Sequence, residues 1–176
     1  MKRGMIATIM LLLLAVTTGS VSTAMAEIQL SRPDRTNADA MTLAEFEAFY
    51  DEIEKALAAE DIERMMSFYA EDYLHHGITK KQLKFMWLEI FSKYSDLYSV
   101  HIFSRIDAHG HDSILDCTGA LLGIPTGGGD FEAVDRWVNQ NHWLTKIDGE
   151  WKMIGGATHQ RPATKGSGAL ELHPLF

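Results

Sequence analysis

The spacing of apolar residues changes at Asp96, and this change constrains the fold more than any other feature of the chain. Between Thr42 and Asp96, apolar side chains recur every three or four residues, which is the spacing of one buried helical face. After Asp96 they alternate with polar residues and are rich in β-branched and aromatic types, as in strands. With 176 residues, 46% of them hydrophobic, the chain can bury the core of one domain. We therefore expect an α+β domain, with helices packed on one face of a mostly antiparallel sheet of about four to six strands.

Three helices are predicted before the change in spacing. The first begins at Thr42, which can cap it while Glu45 completes a capping box. The second follows Asp61 as its cap, and the third begins at Thr79, which forms a capping box with Gln82.

Four strands, arranged in two hairpins, are predicted after the change in spacing at Asp96. They span residues 97–107, 113–123, 131–147 and 151–158. The first hairpin turns at His109-Gly110, and the second at Asp148-Gly149, a strong two-residue turn signal. Both faces of the second hairpin are half polar, and a β-bulge in so long a strand would exchange its faces partway. The pattern does not indicate which face of that hairpin lies inside.

The first 26 residues have the composition of a cleaved secretory signal peptide. Lys2 and Arg3 form a positive start, residues 6–16 are almost all apolar, and residues 24–26 form an A-x-A cleavage site. The apolar stretch is shorter than the roughly 20 residues of a spanning helix. We expect export to the periplasm or the medium, with no membrane contact after cleavage.

The remaining chain divides into three parts. Residues 27–40 are polar, include Pro33 and show no period, so we expect a flexible N-terminal arm. Residues 41–160 form the domain. Residues 161–176 are rich in Pro, Gly and Ser, which predicts a poorly ordered tail.

Composition and motifs exclude several classes of function. A formal net charge of −8 argues against a nucleic-acid partner, which requires a basic face. The sequence has no Walker loop, Rossmann glycine motif or CxxC pair, so we expect no cofactor. Cys117, the one cysteine, has apolar neighbours and is predicted to be a buried structural thiol. His109 and His111 have no third ligand nearby, so no metal is predicted.

Two motifs resemble those of the nuclear transport factor 2-like superfamily. They are Glu60-Asp61-Ile62-Glu63 followed by Phe68-Tyr69-Ala70-Glu71-Asp72, and Asp148-Gly149-Glu150-Trp151-Lys152. The resemblance covers residues 41–159 and implies a cone of three helices wrapped by a curved sheet. Polyketide-cyclase-like, ketosteroid-isomerase-like, scytalone-dehydratase-like and epoxide-hydrolase-like members carry chemistry in the mouth of this cone, while other members are binding or dimerisation modules. The fold alone therefore does not determine the function.

One activity of the superfamily is disfavoured by this sequence. The general-base carboxylate of ketosteroid isomerases falls where this chain has Gly77, and their helix-one tyrosine falls at Ile53. His76-Gly77 instead resembles a pair often found in polyketide-cyclase-like members.

Hairpin geometry suggests catalytic residues. With a turn at His109-Gly110, His101 pairs with Thr118 and lies diagonal to Asp116 on one face. A carboxylate among apolar strand residues would have a raised pKa, so Asp116 and His101 are the predicted acid–base couple. The alternative is an Asp116 on the outer face, paired with Arg136 or a backbone group.

Aromatic and polar residues near this face are predicted to contact a ligand. The set is Tyr50, His76, Trp87, Phe91, Phe103, Thr118, Arg136, Trp137 and His159. Aromatic residues at helical or strand spacing are also common as plain core, and that alternative stays open.

The sequence thus predicts an exported protein that binds a small hydrophobic or aromatic ligand in a cone-shaped pocket. It would act as a cofactor-free isomerase, dehydratase or cyclase by proton transfer. The alternative is a non-catalytic ligand-binding or dimeric assembly module of the same fold. A homodimer through the sheet is expected in either case, because three short helices cover only one sheet face.

Overall fold

The computed structural model describes residues 29–156 and Leu175. Its helices are α1 (Ala40–Ala58), α2 (Ile62–Ser67) and α3 (Lys80–Lys93), with a short 3-10 helix at Pro33–Arg35. Its strands are β1 (Gln29–Leu30), β2 (Leu74–His75), β3 (Ile78–Thr79), β4 (Tyr94–His109), β5 (Asp112–Pro125), β6 (Glu132–Ile147) and β7 (Glu150–Met153). No helix in this described part is long and apolar enough to cross a membrane.

The main sheet has five strands in the order β1-β4-β5-β6-β7. Neighbouring strands from β4 to β7 are antiparallel, while the short β1 pairs with β4 in parallel. β2 and β3 form a separate two-stranded sheet. The buried core lies between the helices and one face of the main sheet, as the predicted α+β class requires.

Helix caps follow the sequence signals at two of three places. Asp61 caps α2 by accepting from Arg64 N, and Thr79 and Gln82 form the predicted capping box of α3. The first helix begins earlier than predicted, because the side chain of Asp39 caps it by accepting from Thr42 N at 2.7 Å. Asp is as good a cap as Thr, and the Ala40 that follows it is a strong helix former.

The described part of the N-terminal arm contacts strand β4. β1 pairs with β4 at Gln29–Ile102, and the Asn37 side chain bonds to Asp107 Oδ1 and Ala108 N at 2.8 and 2.6 Å. These contacts cover an edge of β4 that would otherwise present unpaired backbone groups. Residues 27–28, the signal segment, and the tail apart from Leu175 lie outside the described residues. Leu175 is buried, and its carbonyl oxygen accepts a hydrogen bond from the Tyr69 hydroxyl.

The first hairpin has a different register from the predicted one. Its turn is Gly110-His111, because His109 pairs with Asp112. A bulge at Ser104 then shifts the register once more, so that His101 pairs with Gly119 rather than with Thr118. The inner face therefore combines Leu97, Ser99, His101, Phe103 and Ile106 of β4 with Leu115, Cys117 and Leu121 of β5.

β6 contains the face exchange that the sequence left open. Between the Cys117–Gln140 and Gly119–Trp137 pairs, two residues of β6 oppose Thr118 alone, and Asn139 has a φ of 52°. This bulge allows Trp137 and His142 to point to the same inner side although their numbers differ in parity. The second turn is at Asp148-Gly149 as predicted, with Ile147 paired with Glu150.

Candidate functional site

Six polar side chains meet in the interior between α1 and the sheet, and we call them the interior polar cluster. They are Tyr50 and Glu54 of α1, Ser99 and His101 of β4, Cys117 of β5 and His142 of β6. None is more than 9% exposed, and His142 is fully buried. Tyr50 and Glu54 are one helical turn apart, so both point from α1 toward the sheet.

A chain of hydrogen bonds connects a carboxylate to an imidazole in this cluster. The Ser99 hydroxyl donates to Glu54 Oε1 and lies 2.8 Å from His101 Nε2. Ser99 N also donates to Glu54 Oε2 at 3.0 Å. Burial raises the pKa of Glu54, and the hydrogen bonds from Ser99 partly oppose that rise. Glu54 can therefore accept a proton more readily than an exposed carboxylate.

Cys117 lies at the other end of this chain. Its Sγ is 3.4 Å from His101 Nδ1 and accepts a hydrogen bond from Trp137 Nε1 at 3.2 Å. Burial raises the pKa of this thiol to about 12, although the bond from Trp137 favours the thiolate. The predicted buried thiol is confirmed.

Tyr50 and His142 form a second polar pair. The Tyr50 hydroxyl is 2.7 Å from His142 Nδ1. Burial raises the pKa of Tyr50 well above its ordinary value, so the phenol stays neutral. In the tautomer with the proton on Nδ1, His142 donates to Tyr50, and the phenolic proton can be directed at another oxygen.

Aromatic rings surround these polar groups. The His101 ring stacks on Phe103 with centroids 5.8 Å apart, and it contacts the rings of Tyr50 at 4.7 Å and Trp137 at 5.2 Å. A few convergent polar groups inside an aromatic wall are typical of sites for small, largely apolar molecules.

A separate open groove lies outside the interior polar cluster. It has a volume of about 280 Å³ between α1, α2 and the turn from β6 to β7. Its lining includes Phe49, Arg64, Phe68 and Trp151.

Asp116 is not part of the interior polar cluster. Its carboxylate accepts two hydrogen bonds from Arg105, at 2.8 and 3.0 Å, and a third from the Asn141 amide. It lies on the outer face with a side chain 23% exposed, opposite to the face of His101. The predicted Asp116–His101 couple is therefore wrong, because the turn position and the bulge at Ser104 change the register. The structure has the alternative, an ion-paired Asp116, with Arg105 in the place expected for Arg136.

Of the predicted ligand residues, Tyr50 belongs to the interior polar cluster, and the rings of Phe103 and Trp137 pack against it. Two others lie on the outer face: Thr118 accepts from Asn139 N at 3.1 Å, and Arg136 is exposed.

The other predicted ligand residues lie elsewhere. Trp87 is buried, donates to the Tyr69 hydroxyl at 3.1 Å and packs against Phe91. His76 is half-buried at a φ of 47°, with the centroid of its ring 4.3 Å from that of His75. His159 lies outside the described residues.

Sequence reasoning missed Glu54, Ser99 and His142 as site residues. The helical spacing could have indicated that Glu54 is buried, because it lies four residues after Tyr50 and three before Leu57, inside the apolar stripe of α1. No sequence pattern indicated that His142 is buried, because the face of the sheet on which it lies depends on the bulge at Asn139.

The chain shares its fold with several solved structures. No family model and no curated protein matches it. A conserved protein from Planctomyces limnophilus superposes with a TM-score of 0.56 at 12% identity, over 66% of this chain and 94% of that one. Two Novosphingobium aromaticivorans proteins each give a TM-score of 0.51 at 13% identity. One is a candidate aromatic ring hydroxylase, whose alignment covers 67% of this chain and 87% of the hydroxylase chain. The other is a candidate scytalone dehydratase, whose alignment covers 65% of this chain and 80% of the dehydratase chain.

At these identities the likeness concerns the fold. The chain has the α+β cone fold of the nuclear transport factor 2-like superfamily, as its motifs implied. Its interior holds a buried carboxylate–serine–histidine chain of hydrogen bonds.

Proposed function

We propose that this chain is an exported protein that binds a small hydrophobic or aromatic molecule in its cone and transfers protons on it. The reaction would be an isomerisation, dehydration or cyclisation without a cofactor. The observation that carries the proposal is the Glu54–Ser99–His101 hydrogen-bond chain inside an aromatic wall.

His101 is the proposed base. Its Nε2–H donates to Ser99, which donates to Glu54, and this fixes the tautomer with a lone pair on Nδ1. When Nδ1 takes a proton, the Glu54 carboxylate stabilises the resulting imidazolium through Ser99. A bound ligand would replace the Cys117 thiol as the partner of Nδ1.

Tyr50 is the proposed partner for the ligand's oxygen. Nδ1 of His101 removes a proton from the carbon next to a carbonyl, and the electron pair moves onto that oxygen, which Tyr50 stabilises by donating a hydrogen bond. His101 then returns the proton to another carbon, or to a hydroxyl that leaves as water. The substrates that fit are ketones with aromatic or alicyclic groups.

Hydrogen–deuterium exchange tests this proposal without knowledge of the product. A panel of aromatic and alicyclic ketones is incubated with the protein in D₂O, and exchange at the carbon next to the carbonyl is followed by NMR. We expect at least one compound to exchange faster with protein than in buffer. Glu54→Gln should lower that rate by about 10²–10⁴-fold, the usual contribution of a positioned acid or base.

Asp116→Asn is the matched control, because it makes the same chemical change on the outer face. It should exchange ketones at the rate of the unchanged protein. Equal rates for Glu54→Gln and the unchanged protein, or no exchange above buffer for any ketone, would reject the proposal.

A non-catalytic dimeric module is the second candidate function. It is supported by large apolar side chains on the outer side of the sheet: Val100 and Trp143 are each 38% exposed, and Val138 is 64% exposed. Monomeric proteins seldom leave such groups together without a partner. A protein that dimerises but exchanges no ketone would favour this candidate.

Export is the remaining part of the proposal and rests on the first 26 residues. We expect the protein recovered from its natural compartment to begin at Glu27. Intact mass measurement tests this, and a mass that includes the first 26 residues would contradict it.

A further inference from the structure

We propose that the interior polar cluster is also a binding site for one zinc-type transition-metal ion, held by His101, Cys117 and His142. One ligand atom from each residue lies within 4.8 Å of the other two. The three residues come from three adjacent strands, β4, β5 and β6, and all are buried. His109 and His111 do not belong to this group, so the predicted lack of a metal site at that turn is a separate question.

The distances between the ligand atoms suit a small ion. Zinc bond lengths of about 2.3 Å to sulfur and 2.0–2.1 Å to nitrogen place two tetrahedral ligand atoms about 3.6 Å apart. Cys117 Sγ and His101 Nδ1 are 3.4 Å apart. The other distances in the set are at most 4.8 Å, so a movement of His142 by up to about 1.4 Å brings its ligand atom to tetrahedral spacing.

Each imidazole is held by a partner at the nitrogen that faces away from the ion. His101 Nε2 bonds to Ser99, which is held by Glu54, so His101 presents Nδ1. His142 Nδ1 bonds to the Tyr50 hydroxyl, so His142 presents Nε2. Such outer partners fix the tautomer and orientation of histidines that bind metals.

The sulfur has an outer partner as well. Trp137 Nε1 donates to Cys117 Sγ at 3.2 Å, and this bond would stabilise a metal-bound thiolate. The thiolate and the Glu54 carboxylate together balance the two positive charges of the ion, which a buried site requires.

The donor set selects the class of ion. Two imidazoles and one thiolate favour zinc or copper, whereas magnesium and calcium prefer oxygen ligands. Three protein ligands leave a fourth position for water or a small molecule, as in catalytic zinc sites. Binding forms a metal–sulfur bond and releases the thiol proton to solvent, so one proton should appear for each ion bound.

Cobalt titration tests the site directly. The purified protein is stripped with a chelator and titrated with Co²⁺, and then with Zn²⁺. We expect one Co²⁺ per chain, an intense cobalt–thiolate charge-transfer band, and loss of that band when Zn²⁺ replaces Co²⁺. Zn²⁺ should also release one proton per chain in weakly buffered solution.

Two variants check the ligands. Cys117→Ser should lose the charge-transfer band, and Tyr50→Phe should weaken Zn²⁺ binding by about 10–100-fold, the usual effect of losing an outer partner. His109→Gln is the matched control, because His109 is an exposed histidine paired with Asp107, and binding should be unchanged.

The unchanged protein alone can overturn the proposal, so the result does not depend on whether a variant folds. Absence of the cobalt–thiolate band, a stoichiometry other than one ion per chain, or a site that takes copper and excludes both Co²⁺ and Zn²⁺ would each reject it.

The metal site and the proposed proton transfer are separable. Both use His101 Nδ1, so an ion should block ketone exchange. Cys117→Ser removes the thiolate needed by the ion but keeps the Glu54–Ser99–His101 chain. If the metal proposal fails, ketone exchange is unaffected. If ketone exchange is absent, the cobalt band is still expected.

Discussion

At the scale of single residues, Glu54 is a buried carboxylate whose ionisation is disfavoured by desolvation. Glu54 is 5% exposed, and the backbone N–H and the hydroxyl of Ser99 donate hydrogen bonds to its carboxylate. Burial raises its pKa above the ordinary 4.5, so the folded protein binds this proton more tightly than the unfolded chain. This contribution to stability is fully present below pH 4.5 and is lost as the pH rises through the raised pKa.

Glu54→Gln should therefore change how stability depends on pH. The amide cannot ionise, so the variant should gain in Tm relative to the unchanged protein as the pH rises from below 4.5 toward neutrality. Thermal melting across this range measures the difference. Asp116→Asn serves as control and should lose about 0.5–1 kcal/mol, because its ion pair with Arg105 is partly exposed. A Tm difference for Glu54→Gln that is constant with pH would contradict the argument.

The two carboxylates show what a sequence can and cannot say about a site. The apolar strand neighbours of Asp116 favour it as a site residue, but Leu115 and Cys117 both face the core, so the alternation of side chains places Asp116 on the outer face. Glu54 lies at helical spacing between Tyr50 and Leu57, where the period does define one face. The helical pattern thus contained the more reliable signal.

At the scale of elements, the caps of α2 and α3 and the second hairpin turn were predictable, but the faces of the long strands were not. Asp61, Thr79 and the Asp148-Gly149 turn act through local hydrogen bonds, and the sequence displays those signals directly. The bulges at Ser104 and Asn139 depend on packing between distant strands. The bulge at Ser104 places Asp116 and His101 on opposite faces of the sheet, and the bulge at Asn139 places His142 on the inner face.

A substitution at Gly119 tests the packing that supports the interior polar cluster. A Cβ at this position would overlap the Val100 carbonyl oxygen and come within 2.6 Å of the Trp137 ring. Gly119→Ala should lower the free energy of unfolding by about 1–3 kcal/mol, measured by urea unfolding with Trp fluorescence. Gly127→Ala is the matched control, because a Cβ there meets nothing within 4 Å. Equal losses for both variants would contradict the close approach.

At the scale of the whole molecule, the outer side of the sheet determines the expected assembly. Val100, Val138 and Trp143 are large apolar side chains exposed there, while the helices cover the inner face. Burying this area against a second copy would remove it from water, at roughly 25 cal/mol per Å² of apolar surface. A homodimer through the sheet remains our proposal.

Val138→Lys should convert that dimer into a monomer, because a charge at a residue 64% exposed in the single chain would be buried in the pair. Light scattering at micromolar concentration gives the mass directly. Phe85→Lys is the matched control, since Phe85 is 62% exposed on α3, away from the sheet. A monomeric unchanged protein would contradict the proposal, and so would equal dissociation of both variants.

The extra residue at Asn139 determines how a deletion in β6 changes the face to which the later side chains point. Removing that one residue would leave Val138 alone opposite Thr118 and give a regular strand in which Trp137 and His142 still face inward. Removing two residues there would exchange inside and outside for everything that follows, turning Trp143 inward and His142 outward. At this position, losing one residue should therefore do less harm than losing two.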